Sequence, residues 1–526
     1  MCHRIIGVCL QKTQEAHGLR AWSAIGMSLL PPSADSTGAG PTASSRGPPH
    51  RPERRIAAGR SAAVTAALAY ALGLGPHRLE RDPQVSQDSL PDVSVTRSGG
   101  PSGGLPVLIV VFDKGAATAA DLSVGLGDVA HLVFAVPRSD FTEAVLPTLG
   151  ELGLVVELSE DEECDAEALR ALSPSGIVTF SESRLRLTAA IAQRLGLPFH
   201  SPSTALALTD KHRQRSVLNA AGVSPVRTAL VREPRDWEDA WATVGLPAVV
   251  KPVHGEGSRN TFFVRSTDDA VRIQDEMTVA GELVAPLVVE EFLRGRPSSP
   301  YGDYVSVESV SAPNGVTHIA VTGKFPLEHP FRERGQFWPS ALTPEEETTV
   351  RQLTDKALTA LGIERGITHT EIKLTPDGPR VIEVNGRLGG NIQDLSVRAG
   401  AGNPVRAGGL LALNAPTGLT TAQPDRVCFQ YIYLAPAVPC RMTAARGLAE
   451  VRRVPGVVRY LAHVRPGDVL PGGIGTQRVA DLRGEAPDHK AMFEVLDTAL
   501  GLLEYDFQQQ DGSTFTLRRS LPGSGA

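Results

Sequence analysis

The sequence predicts an α/β fold on three observations. From Leu105 onward, short apolar runs bounded by Gly, Pro or Asp alternate with segments of helical length. Near residue 376 two alternating strands flank a Pro-Asp-Gly turn. The composition is that of a globular chain: 526 residues, 41% hydrophobic, formal net charge −6, room for two to four compact units. Five cysteines show neither CxxC pairing nor histidines at zinc spacing, so a disulfide scaffold and a structural zinc site are not suggested, and a cytoplasmic setting fits. The apolar run from Ser61 falls short of a membrane span. The acidic balance gives no footprint for nucleic acid.

Residues 1–104 read as a disordered, low-complexity and mildly basic leader, rich in Pro, Gly, Ser and Arg. It lacks the charged, apolar and cleavage regions of a signal peptide. Residues 105–205 follow with four strand-like runs, LPVLIVVFD, HLVFAVP, LGLVVELS and GIVTFSES, which predict a parallel, Rossmann-like layer. No GxGxxG opens its first helix, so dinucleotide binding is poorly supported.

A third unit is assigned to 206–414. A helix is expected from near Thr209 to Gly222, followed by the strand AVVKP, which ends near Lys251, and by a loop carrying Gly255, Gly257 and Ser258. Glycine backbone approaches anions closely and a lysine adds fixed charge, a combination suited to phosphate; a plain hairpin turn is the other reading. The loop runs from strand to strand, which excludes a Walker A motif. VVEEFLRG then gives a strand ending in Glu290 and Glu291, whose backbone suits an adenine edge with Phe292 and Leu293 over its face; an ordinary edge strand is the alternative.

The hairpin HTEIKLTPDGPRVIEVNGRLGG carries the strongest chemistry. Alternation puts Glu371 and Lys373 on one face of its first strand, and Glu383, Asn385 and Arg387 on one face of its second. Hard oxygen donors on rigid strands suit Mg²⁺ shared with phosphate, and the guanidinium fork of Arg387 suits an oxyanion.

In the order DKxxxR, VVKPxxGxGS, VEEFLxG and the paired-Glu hairpin ending IEVNGRLGG, the chain resembles the ATP-grasp superfamily, in particular its carboxylate-amine ligase branch of L-amino acid ligases and dipeptide synthetases. The resemblance covers roughly residues 105–515. It implies an ATP-grasp fold with a Rossmann-like pre-ATP-grasp domain and an α+β C-terminal lobe over 415–516, before a tail at 517–526. It also implies an enzyme: an ADP-forming, carbon–nitrogen bond-forming ligase in which ATP phosphorylates a carboxylate and an amine attacks the acylphosphate.

The same resemblance assigns Lys211 and Lys251 to the α- and β-phosphates, the Gly255–Ser258 loop to the β- and γ-phosphates, and Glu371, Glu383 and Asn385 to two Mg²⁺ ions. Arg387 becomes the arginine that stabilises the acylphosphate, with Lys251 beside it in the catalytic machinery. Asp303 is the ribose candidate in a segment where relatives are shorter. Glu308 would face the substrate amino group, or else be a solvated strand acid. Lys324, Phe331, Arg332 and Trp338 would line a carboxylate pocket, or else belong to a rigid surface loop. Small carboxylates and amines are the expected partners, without nucleic acid or membrane, with a homodimer as one arrangement. A carboxylase working through carboxyphosphate and a non-catalytic nucleotide-binding regulator are the alternatives.

Overall fold

A computed structural model describes residues 104–159, 161–279, 282–421 and 424–521. The leader, apart from its last residue, and the end of the C-terminal tail lie outside them.

The four apolar runs after Leu105 form one parallel sheet in the order Leu154–Glu157, His131–Val136, Val107–Val111, Gly176–Val178. Side chains on both of its faces are buried, which is why these strands read as unbroken apolar runs rather than as alternating ones. The strand order reverses between Val107–Val111 and Gly176–Val178. Crevices for ligands open at the carboxyl ends of such strands, and here the reversal places Lys114, Gly115, Ser181 and Glu182 together.

A second, antiparallel sheet runs Thr228–Val231, Leu287–Glu291, Ala248–Pro252, Phe262–Val264. Helices Trp237–Val244 and Thr267–Met277 cover one face, where Val250, Leu287 and Val289 join Trp237, Ile273 and Met277 in a core. Alternation leaves Val249 and Lys251 on the open face.

The largest sheet has eight antiparallel strands: Gly378–Asn385, Gly366–Thr375, Tyr304–Ala312, Gly315–Lys324, Gly335–Trp338, Val427–Leu434, Arg478–Ala486, Val457–Ala462. Strands from before and after residue 415 therefore share one ladder. Helix Pro344–Ala360, begun by a Thr343/Glu346 capping box, contributes Ala357 and Leu358 to the core shared with Val381 and Val384 of the hairpin. A last sheet, Val469–Leu470, Cys440–Arg446, Glu504–Gln509, Thr514–Leu517, packs with helix His489–Leu502. No described helix is long and apolar enough to cross a membrane.

The expected helix near Thr209 starts slightly later. Thr209 ends helix Pro202–Thr209, and Asp210 caps Lys211–Ala220 by accepting the Arg213 amide at 2.8 Å.

Candidate active site

The open face of the second sheet and the hairpin enclose a cleft. Its apolar slot is made by Val249, Phe292, Leu293, Phe331 and Ile382. The Phe292 ring lies 4.5 Å, centroid to centroid, from Phe263, which fixes its plane. The Glu291 and Phe292 amides already donate to the Arg227 and Pro247 carbonyls, and the Glu291 carboxylate pairs with Arg227 at 2.8 Å. The strand end is thereby held rigid beside the slot.

The polar end of the cleft is more tightly organised than the motifs suggested. Lys251, 7% exposed, meets Glu290 at 2.7 Å, and Arg215 meets the same carboxylate at 2.9 Å. Burial pushes the Glu290 carboxyl up, but the two cations beside it hold it down at about 2. Glu290 therefore anchors the lysine rather than merely marking a strand end. Arg215 also donates to the Val381 and Ile382 carbonyls, while Gln214 exchanges two hydrogen bonds of 2.8 Å with the Val384 backbone. These ties stitch helix Lys211–Ala220 to the hairpin. They bring the Lys211 Nζ to 2.6 Å from the Gly255 carbonyl and 3.8 Å from Glu383. In the loop itself Gly255 and Gly257 take φ of 138° and 68°, backbone that a side chain would strain.

On the hairpin, Glu371 stands directly opposite Glu383. The register then slips, so that Ile372 pairs with Val381. This bulge explains how two consecutive residues, Ile382 and Glu383, both face the cleft where strict alternation would allow one. Asn385 donates its amide nitrogen to Glu383 at 3.2 Å, so the amide oxygen is the atom it offers a cation. Among the described residues no group of three or more His, Cys, Asp or Glu side chains forms a metal cage. Two carboxylates and an amide oxygen, all hard donors, fit Mg²⁺, which binds through few protein ligands and completes its shell with phosphate and water.

A second cavity of about 940 Å³ adjoins the first. Glu256, Gly257, Ser258, Glu333, Glu371 and Glu383 line both, so the Gly255–Ser258 loop and the acid pair form the threshold between them. Lys114, Lys324, Asn385, Arg387 and Arg478 line the larger one. Arg387 lies in the bend after the strand ends at Asn385, a correction to its placement on the strand, yet it still opens into the cavity with Asn385. Glu182, from the parallel-sheet unit, backs it at 3.2 Å. Burial pushes the Glu182 carboxyl up to about 7 against the pull of Arg387.

Several expected residues lie elsewhere. Asp303 is not among the residues lining the first cleft; Lys373 claims its carboxylate at 2.7 Å. Glu308 is wholly buried and bonds the His369 Nδ1, while the His369 Nε2 reaches Glu371 at 3.3 Å, so Glu308 stands behind the acid pair rather than facing a substrate. Arg332 is buried among Glu328 and the Gly475 and Ala435 carbonyls, tying its loop to the C-terminal strands. Trp338 packs in the core with Leu388, Ile392 and Cys428. Lys324, by contrast, does reach the cavity and donates to Gln336 at 2.8 Å. Four site residues escaped the sequence reading: Arg215, Glu333, His369 and Glu182. Arg215, His369 and Glu182 sat inside quoted motifs, at i+4 from Lys211, at i−2 from Glu371 and in the run GIVTFSES, while Glu333 had no local signal.

Residues 244–394 match the ATP-grasp domain family. Alanine–anticapsin ligase of Bacillus subtilis is 30% identical over 229 residues, 41% of this chain and 48% of that protein. Human carnosine synthase 1 is 26% identical over 49% of this chain and 33% of its own length. The matches thus span about half, or less, of these relatives. The crystal structure of an L-amino acid ligase from Bacillus licheniformis superposes with a TM-score of 0.60 at 22% identity, over 76% of this chain and 98% of that one, a shared fold.

Proposed function

The chain is a member of the ATP-grasp superfamily, and from that premise we propose that it is an ATP-dependent carboxylate-amine ligase acting on an amino acid or small peptide through an acylphosphate. One observation carries the reading: the first cleft and a larger polar cavity meet at the Gly255–Ser258 loop and the Glu371/Glu383 pair, with Arg387 on the wall of the larger one. A γ-phosphate at that threshold lies within reach of a carboxylate in the cavity.

The slot of Val249, Phe292, Leu293 and Ile382 would take the adenine, and Lys211, Lys251 and the loop amides the phosphates. Glu371, Glu383 and Asn385 would hold two Mg²⁺ ions, which neutralise phosphate charge during transfer. The carboxylate oxygen attacks the γ-phosphorus as the bond to ADP breaks. The amine then attacks the acyl carbon, and the carbon–oxygen bond to phosphate breaks. Lys324 and Arg387 supply fixed positive charge where both steps develop negative charge. Alignment and charge neutralisation do the work, so no nucleophilic side chain is required. The enzymes named among the relatives, alanine–anticapsin ligase and carnosine synthase, support an amino-acid substrate.

Incubating the protein with MgATP, an amino-acid panel and hydroxylamine tests this reading. ADP, phosphate and an amino-acid hydroxamate are expected. AMP with pyrophosphate, or ADP formed only with bicarbonate, would overturn it.

A further inference from the structure

The floor of the larger cavity is one row of side chains across the eight-stranded sheet. Lys324 stands opposite Gln336 and Gln336 opposite Gln430, on three successive strands, and all three line the cavity. At ~4.8 Å per strand this row extends ~10 Å from Lys324 into the C-terminal strands. Its near half is satisfied: Lys324 donates to Gln336, and Gln336 donates to the Gly390 carbonyl at 2.6 Å. The far half differs. Gln430 is 1% exposed and lines the cavity, yet its Nε2 has no hydrogen-bond partner. A buried amide donor without an acceptor costs free energy that a ligand oxygen would return.

Two cationic or hydrogen-bonding groups stand in the same wall. Arg478 and His463 both line the cavity, and both are held by the buried carboxylate of Asp481, at 3.1 and 3.2 Å. Burial pushes the Asp481 carboxyl up, but His463 and Arg478 hold it below its ordinary range, so it is an anion that orients both groups. The wall therefore presents an unpaired N–H donor, an oriented guanidinium and an imidazole, outside the residues matched by the ATP-grasp domain.

We propose that Gln430, His463 and Arg478 form a subsite of the C-terminal strands for a carboxylate carried by the amine substrate, separate from the carboxylate that is activated. The inference rests on the ligase reading above. The subsite selects amines that bear an anionic end, and it turns the amine toward Arg387 and the acid pair by holding the opposite end of the molecule.

The test pairs each amino acid or dipeptide, as acceptor, with its carboxamide, and measures KM and kcat from ADP release. In the wild type the carboxamide should show a KM at least ~10-fold higher, the scale of one charge-assisted hydrogen bond. Arg478→Gln should raise the KM of the acid by a similar factor and leave that of the carboxamide within ~3-fold, so that the preference collapses, while Arg478→Lys should keep part of it. Equal KM values for acid and carboxamide in the wild type, or an Arg478→Gln effect that is the same on both, would overturn the subsite. So would hydroxamate formation in a protein that accepts no amino acid or dipeptide. Failure to form any hydroxamate would instead remove the ligase reading, and the subsite with it.

Discussion

Lys251 and Glu290 face each other in the first cleft, and their pairing separates two roles for one lysine. Without nucleotide, Glu290 compensates both Lys251 and Arg215. Glu290→Gln leaves two buried cations without their anion and should cost about 3 kcal/mol of stability. ATP phosphates restore a partner to Lys251, so thermal unfolding should show a smaller loss in MgATP than without it; equal losses would contradict this coupling. The Glu290 carboxyl lies at about 2 when folded, against an ordinary 4.5, so its stabilisation is complete above about 4.5 and is lost as pH falls through about 2. Lys251→Ala should weaken ATP binding by ~10-fold or more, measured by calorimetry on the folded variant. For Arg387→Ala, kcat should fall ~10²-fold with a smaller change in ATP affinity, since its charge is worth most where negative charge develops. The reverse split in steady-state kinetics would make it a ground-state binding residue.

The hairpin Gly366–Thr375 and Gly378–Asn385 shows how far an element can be read before it is seen. Its turn and its alternation were legible because Pro376-Asp377-Gly378 punctuates two runs of period two, and the facing of Glu371 and Glu383 follows from that geometry. The bulge beside Ile382 was not legible, because a one-residue slip leaves no mark in composition. Residues outside regular strands fared worse. The resemblance gave Arg332 and Asp303 functional places, but each has a partner distant in sequence: the Ala435 and Gly475 carbonyls for one, Lys373 for the other. Glu308 and Trp338 lie on strands whose cavity-facing and core-facing stretches follow one another along the same face, a distinction that appears only when neighbouring strands are in place. Because Glu383 belongs to a paired strand whose backbone is fixed by Gln214 and Arg215, Glu383→Gln should abolish turnover while leaving the melting temperature within a few degrees. Activity surviving in that variant, or in EDTA, would contradict the acid pair as the metal site.

At the scale of the molecule, three parts of the fold converge on two adjoining cavities. The parallel sheet brings Lys114 and Glu182 to the point where its strand order reverses, the small antiparallel sheet brings Lys251 and the Gly255–Ser258 loop, and the eight-stranded sheet supplies the acid pair and the polar floor. The order of motifs along the chain was enough to anticipate the α/β architecture, and the residues of those motifs line one cleft, since each motif is local. The shared cavity was not anticipated in detail, since residues as far apart as Lys114 and Arg478 line it together. The central claim is that the cavity delivers a carboxylate oxygen to the γ-phosphorus at the threshold. Supplying a substrate labelled with ¹⁸O in its carboxylate and analysing the released phosphate by mass spectrometry tests that claim most directly: one ¹⁸O per phosphate is the result the account predicts, and unlabelled phosphate accompanying amide product would contradict it.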